Sequence, residues 1–294
     1  MMWPVWLVAG IVVAALILFA IGYWHLVIAE GAYLGPGLVA WLYDRVARRY
    51  DQIKAFDWED EAYFVARPIR MALDLVGIDR PLILDVATGT GRVARALLFT
   101  GDLPGMLIGL DRSLAMLKEA RAHVRHGSVT WLWQDASHLP FDDRTFDVVT
   151  CLEALEFFPS PAAVLEEMVR VLKPGGFLLI SNRIGWEAHL LPGRTFDEEE
   201  LGKRLEHLGM ASWDVQRWQV DYDWVMARKG GELTAADRQA LDLAEILRCP
   251  ACGKRRWLEA EDRWDCLECG RSYRWEGGIL YLLQPALQAS NHRH

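Results

Sequence analysis

Apolar and polar residues follow three different rhythms along the chain. From Pro4 to Ala29 there is no polar beat at all, and no Asp, Glu, Lys or Arg interrupts a run dominated by Val, Ile, Leu, Ala and Phe. At a rise of ~1.5 Å per residue, about 25 residues cover roughly 37 Å, more than a ~30 Å hydrocarbon layer. Core helices are rarely apolar on every side, and a cleaved leader would open on basic residues and carry a shorter apolar run. The pattern therefore predicts a transmembrane helix in residues 1–30, touching the membrane through 4–29. After a Gly/Pro-containing joint, Leu38 to Phe56 shows a helical period in Val39, Leu42, Tyr43, Val46 and Tyr50, with Arg45, Arg48 and Arg49 largely off that face. Such a helix suits either a membrane surface or a lid over a site. A further helix is expected from Glu59 to Val76.

The third rhythm alternates short apolar runs with helical segments. Strands are expected at Leu82–Val86, Met106–Leu110, Val129–Trp133, Phe146–Leu152 and Phe177–Asn182. Helices fall after Gly91, from Ser113 to Val124, from Pro161 to Leu172 and from Thr195 to Leu208, the last with Thr195 and Glu198 in capping-box spacing. Trp213–Val220 and Tyr222–Ala227 form a closing antiparallel pair. The alternation implies an α/β fold, a Rossmann-like doubly wound sheet of seven strands with the last antiparallel, covered on both faces. Ligands of such sheets sit beyond the carboxyl ends of the strands.

Charge and cysteine usage refine this picture. The chain has 294 residues and a net charge of −8, which disfavours a nucleic-acid partner without removing the scope for local basic patches. No Lys or Arg precedes the apolar run, whereas Arg45, Arg48, Arg49 and Lys54 follow it. The positive-inside rule then makes this a single-pass cell-membrane protein with its C-terminal side in the cytoplasm. Cys151 stands alone on an expected strand, a small buried apolar residue. The other four cysteines form two C-x-x-C pairs, Cys249/Cys252 and Cys266/Cys269, each followed by glycine. Two such turns present four thiolates in the tetrahedral arrangement that Zn²⁺ accepts, and a filled set marks a structural site. A module this short depends on its metal to stay folded. The expected division is 1–30 transmembrane helix, 31–78 amphipathic or lid helices, 79–230 ligand-binding domain, 231–247 linker helix with Thr234 as N-cap, 248–284 small C-terminal zinc ribbon and 285–294 tail.

The segment Ile83-Leu84-Asp85-Val86-Ala87-Thr88-Gly89-Thr90-Gly91-Arg92 reads as a buried strand entering a glycine loop that opens a helix. Glycine lets a ligand approach the backbone. An acidic residue at the strand end suits a ligand with positive charge, such as S-adenosylmethionine. Gly89-Thr90-Gly91-Arg92-Val93-Ala94 also satisfies a dinucleotide fingerprint, with Asp111 about 20 residues on, so an NAD(P)-binding oxidoreductase is an alternative. Three features favour the methyl donor. A small-residue insert separates Asp85 from the first glycine. Gln134-Asp135-Ala136 follows the third strand, placed for an adenine amine. Arg170 to Ile180 reads as helix end, tight turn and strand.

The strings LDVATGTGR, GLDRSLAML, QDASHLPF, FDVVTCLEALEFFPSP, RVLKPGGFLLIS and YDWVMARK stand in order between Tyr43 and Lys229. This region resembles the class I S-adenosylmethionine-dependent methyltransferases of the small-molecule type. The resemblance implies that Asp85, Ala87, Thr88, Gly89 and Gly91 shape the donor loop. Asp111 would accept from the ribose hydroxyls beside Arg112. Met116 would cover the adenine, Asp135 and Ala136 would hold its edge, and Leu152 and Glu153 would border the methyl group. The string from Tyr43-Asp44 to Tyr50-Asp51 resembles the family's lid entrance. No general base is assigned, and Glu153, Glu156, His138 and His189 are candidates by residue type alone.

Residues 248–283 resemble the zinc-ribbon family that activates tRNA and protein methyltransferases, departing from it where Leu280 follows Ile279 in place of proline. They also resemble the ribbon of a ribosomal RNA guanine methyltransferase. Both imply a docking or substrate-gripping module. Trp257, Trp264, Tyr273 and Trp275 either stack on bases or form the ribbon's own core. The expected function is a membrane-anchored methyltransferase acting on a small lipophilic acceptor of quinone, isoprenoid or phospholipid type, using S-adenosylmethionine and a structural zinc. The alternative is an RNA or protein methyltransferase, with the ribbon binding substrate or a protein partner. A scaffold that binds the donor without turnover is a third reading.

Overall fold

A computed structural model describes residues 5–233 and 242–283; the expected N-cap Thr234, Trp3 and Pro4, and the tail from 284 onward lie outside the described residues. Helix α1 (Val5–Tyr23) continues as a π-helical turn over Trp24–Ile28. The stretch Trp6–Ile28 is long and apolar enough to cross a membrane, and none of its residues is buried in the fold. Helix α2 (Pro36–Lys54) follows a Gly35 joint and has Pro36 at its first position, where the fixed φ and missing N–H cost nothing. The expected helix from Glu59 is one path in three pieces: α3 (Trp58–Glu61), a π-turn (Ala62–Ala66) and α4 (Arg67–Leu75).

The sheet is built from β1 (Leu82–Val86), β2 (Met106–Asp111), β3 (Val129–Trp133), β4 (Phe146–Cys151), β5 (Leu172–Arg183), β6 (Met210–Gln219) and β7 (Tyr222–Lys229). Between them run α5 (Arg92–Phe99), α6 (Leu114–His123), α7 (Pro161–Val171), α8 (Gly185–His189) and α9 (Glu198–His207). Along β1, Leu82, Leu84 and Val86 enter one core cluster while Ile83 enters the other, the alternation expected of a strand covered on both faces. β1, β2, β3, β4 and β5 are mutually parallel, and β7 is antiparallel to both β5 and β6.

Two expectations are corrected. The N-cap of α9 is Asp197, whose carboxylate accepts from the Glu200 N–H at 2.7 Å, while the Thr195 hydroxyl donates to the Ala188 carbonyl. Phe196 is tied to Asn182 through its backbone, which holds Thr195 off the helix end. Nor does the sheet stop at seven strands. After α10 (Leu243–Ile246), the cysteine module forms β8 (Trp257–Glu259), β9 (Arg263–Cys266), β10 (Ser272–Glu276) and β11 (Ile279–Tyr281). The full order is β6-β7-β5-β4-β1-β2-β3-β11-β10-β9-β8. β11 pairs in parallel with β3, Leu280 opposite Leu132, and so covers an edge that would otherwise present unpaired backbone groups. Its side chains reach both core clusters, Leu280 on one face and Ile279 and Tyr281 on the other. Trp264 and Tyr273 are buried and pack with Trp257 at centroid distances of 5.8 and 5.6 Å, so the aromatic residues form the ribbon's own small core.

Candidate functional site

The loops at the carboxyl ends of β1 to β4 border an open cleft of about 770 Å³, counting the solvent at its mouth. Ala87 and Gly89 form its floor, both at positive φ (55° each). A Cβ on Gly89 would meet nothing within 4 Å, so the backbone there stands open to a ligand. Gly91, also at positive φ, has a different duty: a Cβ there would sit 3.0 Å from the Trp131 ring. It closes the turn onto the sheet and does not line the cleft.

Asp111, at the end of β2, accepts from the Gly89 N–H at 2.8 Å and the Ser113 N–H at 2.7 Å. Burial pushes its carboxyl up to about 6, against the pull of those backbone donors. Asp85 is also pushed up to about 6 by burial, opposed by the Thr150 and Thr88 hydroxyls that donate to it at 2.6 and 2.5 Å. With both oxygens engaged, Asp85 and Thr88 brace the loop from behind and do not face the cleft. Asp135 takes the opposite course. Burial opposes its charge, but the Ser137 and Arg112 contacts hold it below the usual carboxylate range. Arg112, Met116, Asp135, Ala136 and Leu152 all line the cleft with Asp111.

Helix α2 packs beside these residues and lines the same cleft. Its Asp44 accepts from the Ser113 hydroxyl (2.5 Å) and the Ala115 N–H (3.0 Å), at the N-terminus of α6. Its Asp51 accepts from the Thr90 hydroxyl (2.7 Å) and from Arg95 (2.5 Å), on the glycine loop and α5. Tyr43 and Tyr50 of the same helix line the cleft.

Of the candidate bases, His138 and His189 are exposed and absent from the cleft lining. Glu153 lines the cleft but is fully engaged. Arg92 donates to it at 2.5 Å, Lys54 at 2.5 Å and Gln219 at 3.0 Å. Burial works against its charge, yet Arg92 and Lys54 hold its carboxyl low, which disfavours proton capture. Arg92 also pairs with buried Glu61 at 2.6 Å, its guanidinium lying between the Phe56 and Trp218 rings at 4.7 and 4.5 Å. The chain holds Glu153 at a positive φ of 51°, a conformation that L side chains keep only under surrounding constraint. Sequence reasoning had no signal for this network, whose members come from α2, α3, α5 and β6.

In the ribbon, the sulfurs of Cys249, Cys252, Cys266 and Cys269 lie within 4.8 Å of one another, with Cys249–Cys269 at 3.7 Å and Cys252–Cys266 at 3.6 Å. Tetrahedral Zn–S bonds of about 2.3 Å place sulfurs about 3.8 Å apart, so the donor set fits that ion.

Residues 84–180 match the family described as a methyltransferase domain. The ubiquinone/menaquinone biosynthesis C-methyltransferase of Idiomarina loihiensis is 35% identical over 150 residues, 49% of this chain and 58% of that protein. The demethylmenaquinone methyltransferase of Lactiplantibacillus plantarum is 45% identical over 101 residues, 33% of this chain and 43% of that protein. A phthiotriol/phenolphthiotriol dimycocerosates methyltransferase of Mycobacterium ulcerans is 37% identical over 131 residues, 42% of this chain and 48% of that protein. The chain thus spans about half the length of these relatives. Among solved structures, a chain of the complex between the Haloferax volcanii Trm112 methyltransferase activator and a methyltransferase aligns at a TM-score of 0.50 and 23% identity, covering 64% of this chain and 98% of that one; this likeness concerns the fold alone. Residues 84–180 thus match a methyltransferase domain, and the strand order and the cleft give the chain a Rossmann-like α/β architecture. The match runs through the same glycine loop that suggested a dinucleotide, and the oxidoreductase alternative is set aside.

Proposed function

We propose that this protein is a membrane-tethered methyltransferase that transfers a methyl group from S-adenosylmethionine to a lipophilic ring acceptor of the quinone type. The observation that carries this reading is a cleft lined by Asp111, Asp135 and an open glycine loop, covered by a helix that begins eight residues beyond the apolar span. The donor supplies an activated methyl group when bound. Asp111 would take the ribose hydroxyls, Asp135 and Ala136 the adenine edge, and Met116 and Leu152 the apolar faces. The tether holds the cleft beside the bilayer, and the quinone-pathway relatives give the acceptor its class. The protein's part is alignment and exclusion of water, and orientation alone can supply about 7–11 kcal/mol of a barrier in favourable cases.

The ribbon's four thiolates would hold a structural zinc. The archaeal fold relative stands in complex with an activator protein; here the ribbon would play a supporting part from within the same chain, since β11 seals the β3 edge. Incubation of the full chain with methyl-labelled donor and membranes, followed by separate counting of lipid, RNA and protein fractions, tests the proposal. Label in the lipid fraction is expected. Label confined to RNA or protein would replace the quinone reading with the ribbon-grip alternative.

A further inference from the structure

Beside the donor cleft lies a second, open chamber of about 700 Å³ counting the solvent at its mouth, and Tyr43 and Phe157 line both. Their rings meet edge to face at 5.6 Å. The chamber comes close to the end of the apolar span. Glu30, two residues beyond Ile28, lines it, and so does Val220, which is 81% exposed at the β6–β7 turn. The neighbouring segment after β5 is fastened to the same place, for Trp24 donates to the Leu190 carbonyl at 3.1 Å and Tyr33 to the Pro192 carbonyl at 2.9 Å.

The inner end of the chamber is polar and incompletely satisfied. Tyr222 spends its single proton on Oε1 of buried Glu156, leaving its oxygen as an acceptor. Arg183 stands 3.5 Å from the same carboxylate oxygen. Glu156 is 1% exposed, and its Oε2, like Nε of Arg183, is buried with no hydrogen-bond partner among the described residues. Buried polar atoms are nearly always paired; Arg183 and Tyr222 line the chamber, so the unpaired Arg183 Nε and the Tyr222 oxygen offer a ligand one donor and one acceptor, with Glu156 behind Tyr222.

We infer that this chamber takes the polar head of the acceptor, an aromatic ring carrying a hydroxyl group, with its tail left in the bilayer, and that Tyr222 and Glu156 take the hydroxyl proton while Arg183 positions the ring. The inference rests on the function proposed above. The ring hydroxyl donates to the Tyr222 oxygen as the Tyr222 proton passes to Glu156. The resulting phenolate, through its oxygen or a ring carbon, forms the new bond to the methyl carbon. The sulfur–methyl bond breaks with its electron pair returning to sulfur, and one proton per turnover leaves the protein. After attack through carbon, the displaced ring hydrogen returns to the ring oxygen. Burial raises the Glu156 carboxyl above its usual range, as a proton acceptor working near neutrality needs. The charged and titratable groups facing it are Tyr222 on β7, Arg183 on β5, Cys151 on β4 and Glu30 beyond the span.

The test uses the full chain in phosphatidylcholine–phosphatidylglycerol nanodiscs under anaerobic conditions, with 1,4-naphthalenediols bearing or lacking an isoprenoid tail. Glu156→Gln and Tyr222→Phe should each lower kcat by about 100-fold or more, the range of general acid–base contributions. Adenosylhomocysteine affinity should stay within about twofold, as these side chains lie outside the donor cleft. Glu156→Gln should also erase the acid limb of the kcat–pH profile, and Glu156→Asp should restore part of the rate together with a limb. The inference fails if Glu156→Gln keeps wild-type kcat and pH profile. It fails equally if both variants lose donor-product affinity in step with turnover, since the pair would then be structural. Wild-type protein that methylates neither diol overturns the functional reading itself, and the chamber assignment with it.

Discussion

The α/β core and the ribbon share one sheet but are held together by different forces. In the core, every residue of β1 and β4 is buried, with apolar layers on both faces. In the ribbon, β8 is largely exposed, and β11 is the strand whose three residues are all buried. Burial of apolar area carries the first region. The second has a handful of aromatic residues, four thiols and a seam against β3. A strand at the end of a small module is thus shielded by the larger domain, and the larger domain's edge is shielded in return.

The largest effect that would break this comparison is loss of the proposed metal. Structural zinc contributes on the order of 10–16 kcal/mol of apparent folding free energy in small modules. Cys266→Ser, or strong chelation, should therefore abolish amide-exchange protection over residues 257–281 and leave residues 82–151 protected. Metal analysis showing no zinc in a fully protected ribbon would remove the thiolate cage from the account.

Removing one partner of the buried network strikes the core instead. Arg92→Met leaves Glu61 and Glu153, both nearly inaccessible, without their shared cation. A loss of about 3–5 kcal/mol is expected from the uncompensated charges, read as a lower denaturant midpoint with ribbon protection unchanged.

Asp111→Asn should weaken adenosylhomocysteine binding about 10- to 100-fold, the effect of hydrogen bonds to a charged group. The pH dependence carries two opposite signs. Burial lifts the carboxyls of Asp111 and Asp85 to about 6, so the folded chain binds more protons than the unfolded one between pH about 4 and 6. Through these two groups, stability should fall as pH rises across that window and level off above it. Ligand hydroxyls need the ionised Asp111, so affinity should fall by up to about tenfold per pH unit below 6, and calorimetry at pH 5 and 7 separates the two trends. The smallest effect is at the ribbon surface. Arg256 pairs with Glu268 at 2.9 Å but is 69% exposed, and Arg256→Ala should shift the melting temperature by less than the scatter typical of surface changes.

Much of the molecule was open to reading from local pattern. The strand β1, its glycine loop and the cap of α6 on Ser113 involve neighbours in sequence, and the structure finds them where periodicity and spacing put them. The cysteine quartet was equally plain, because ligand spacing is itself a geometric statement. Thr195 misled because its spacing to Glu198 satisfies a rule that Asp197 satisfies by contact. Asp85, expected to shape the donor loop, accepts from Thr88 and Thr150, contacts that the motif does not name.

What the sequence by itself determined is the set of local units: an apolar span, an α/β alternation, a carboxylate-rich loop set and a thiolate module. Only the tertiary structure decided how they meet. Asp51 reaches Thr90 across 39 residues, Asp44 reaches Ser113 across 69, and Lys54 reaches Glu153 across 99. β11 comes to rest on β3, and Glu156 finds Tyr222. Hydrophobic period and residue spacing report which neighbours share a face. Contacts between distant segments depend instead on how the finished core presents its edges and loops, which no single stretch of chain encodes.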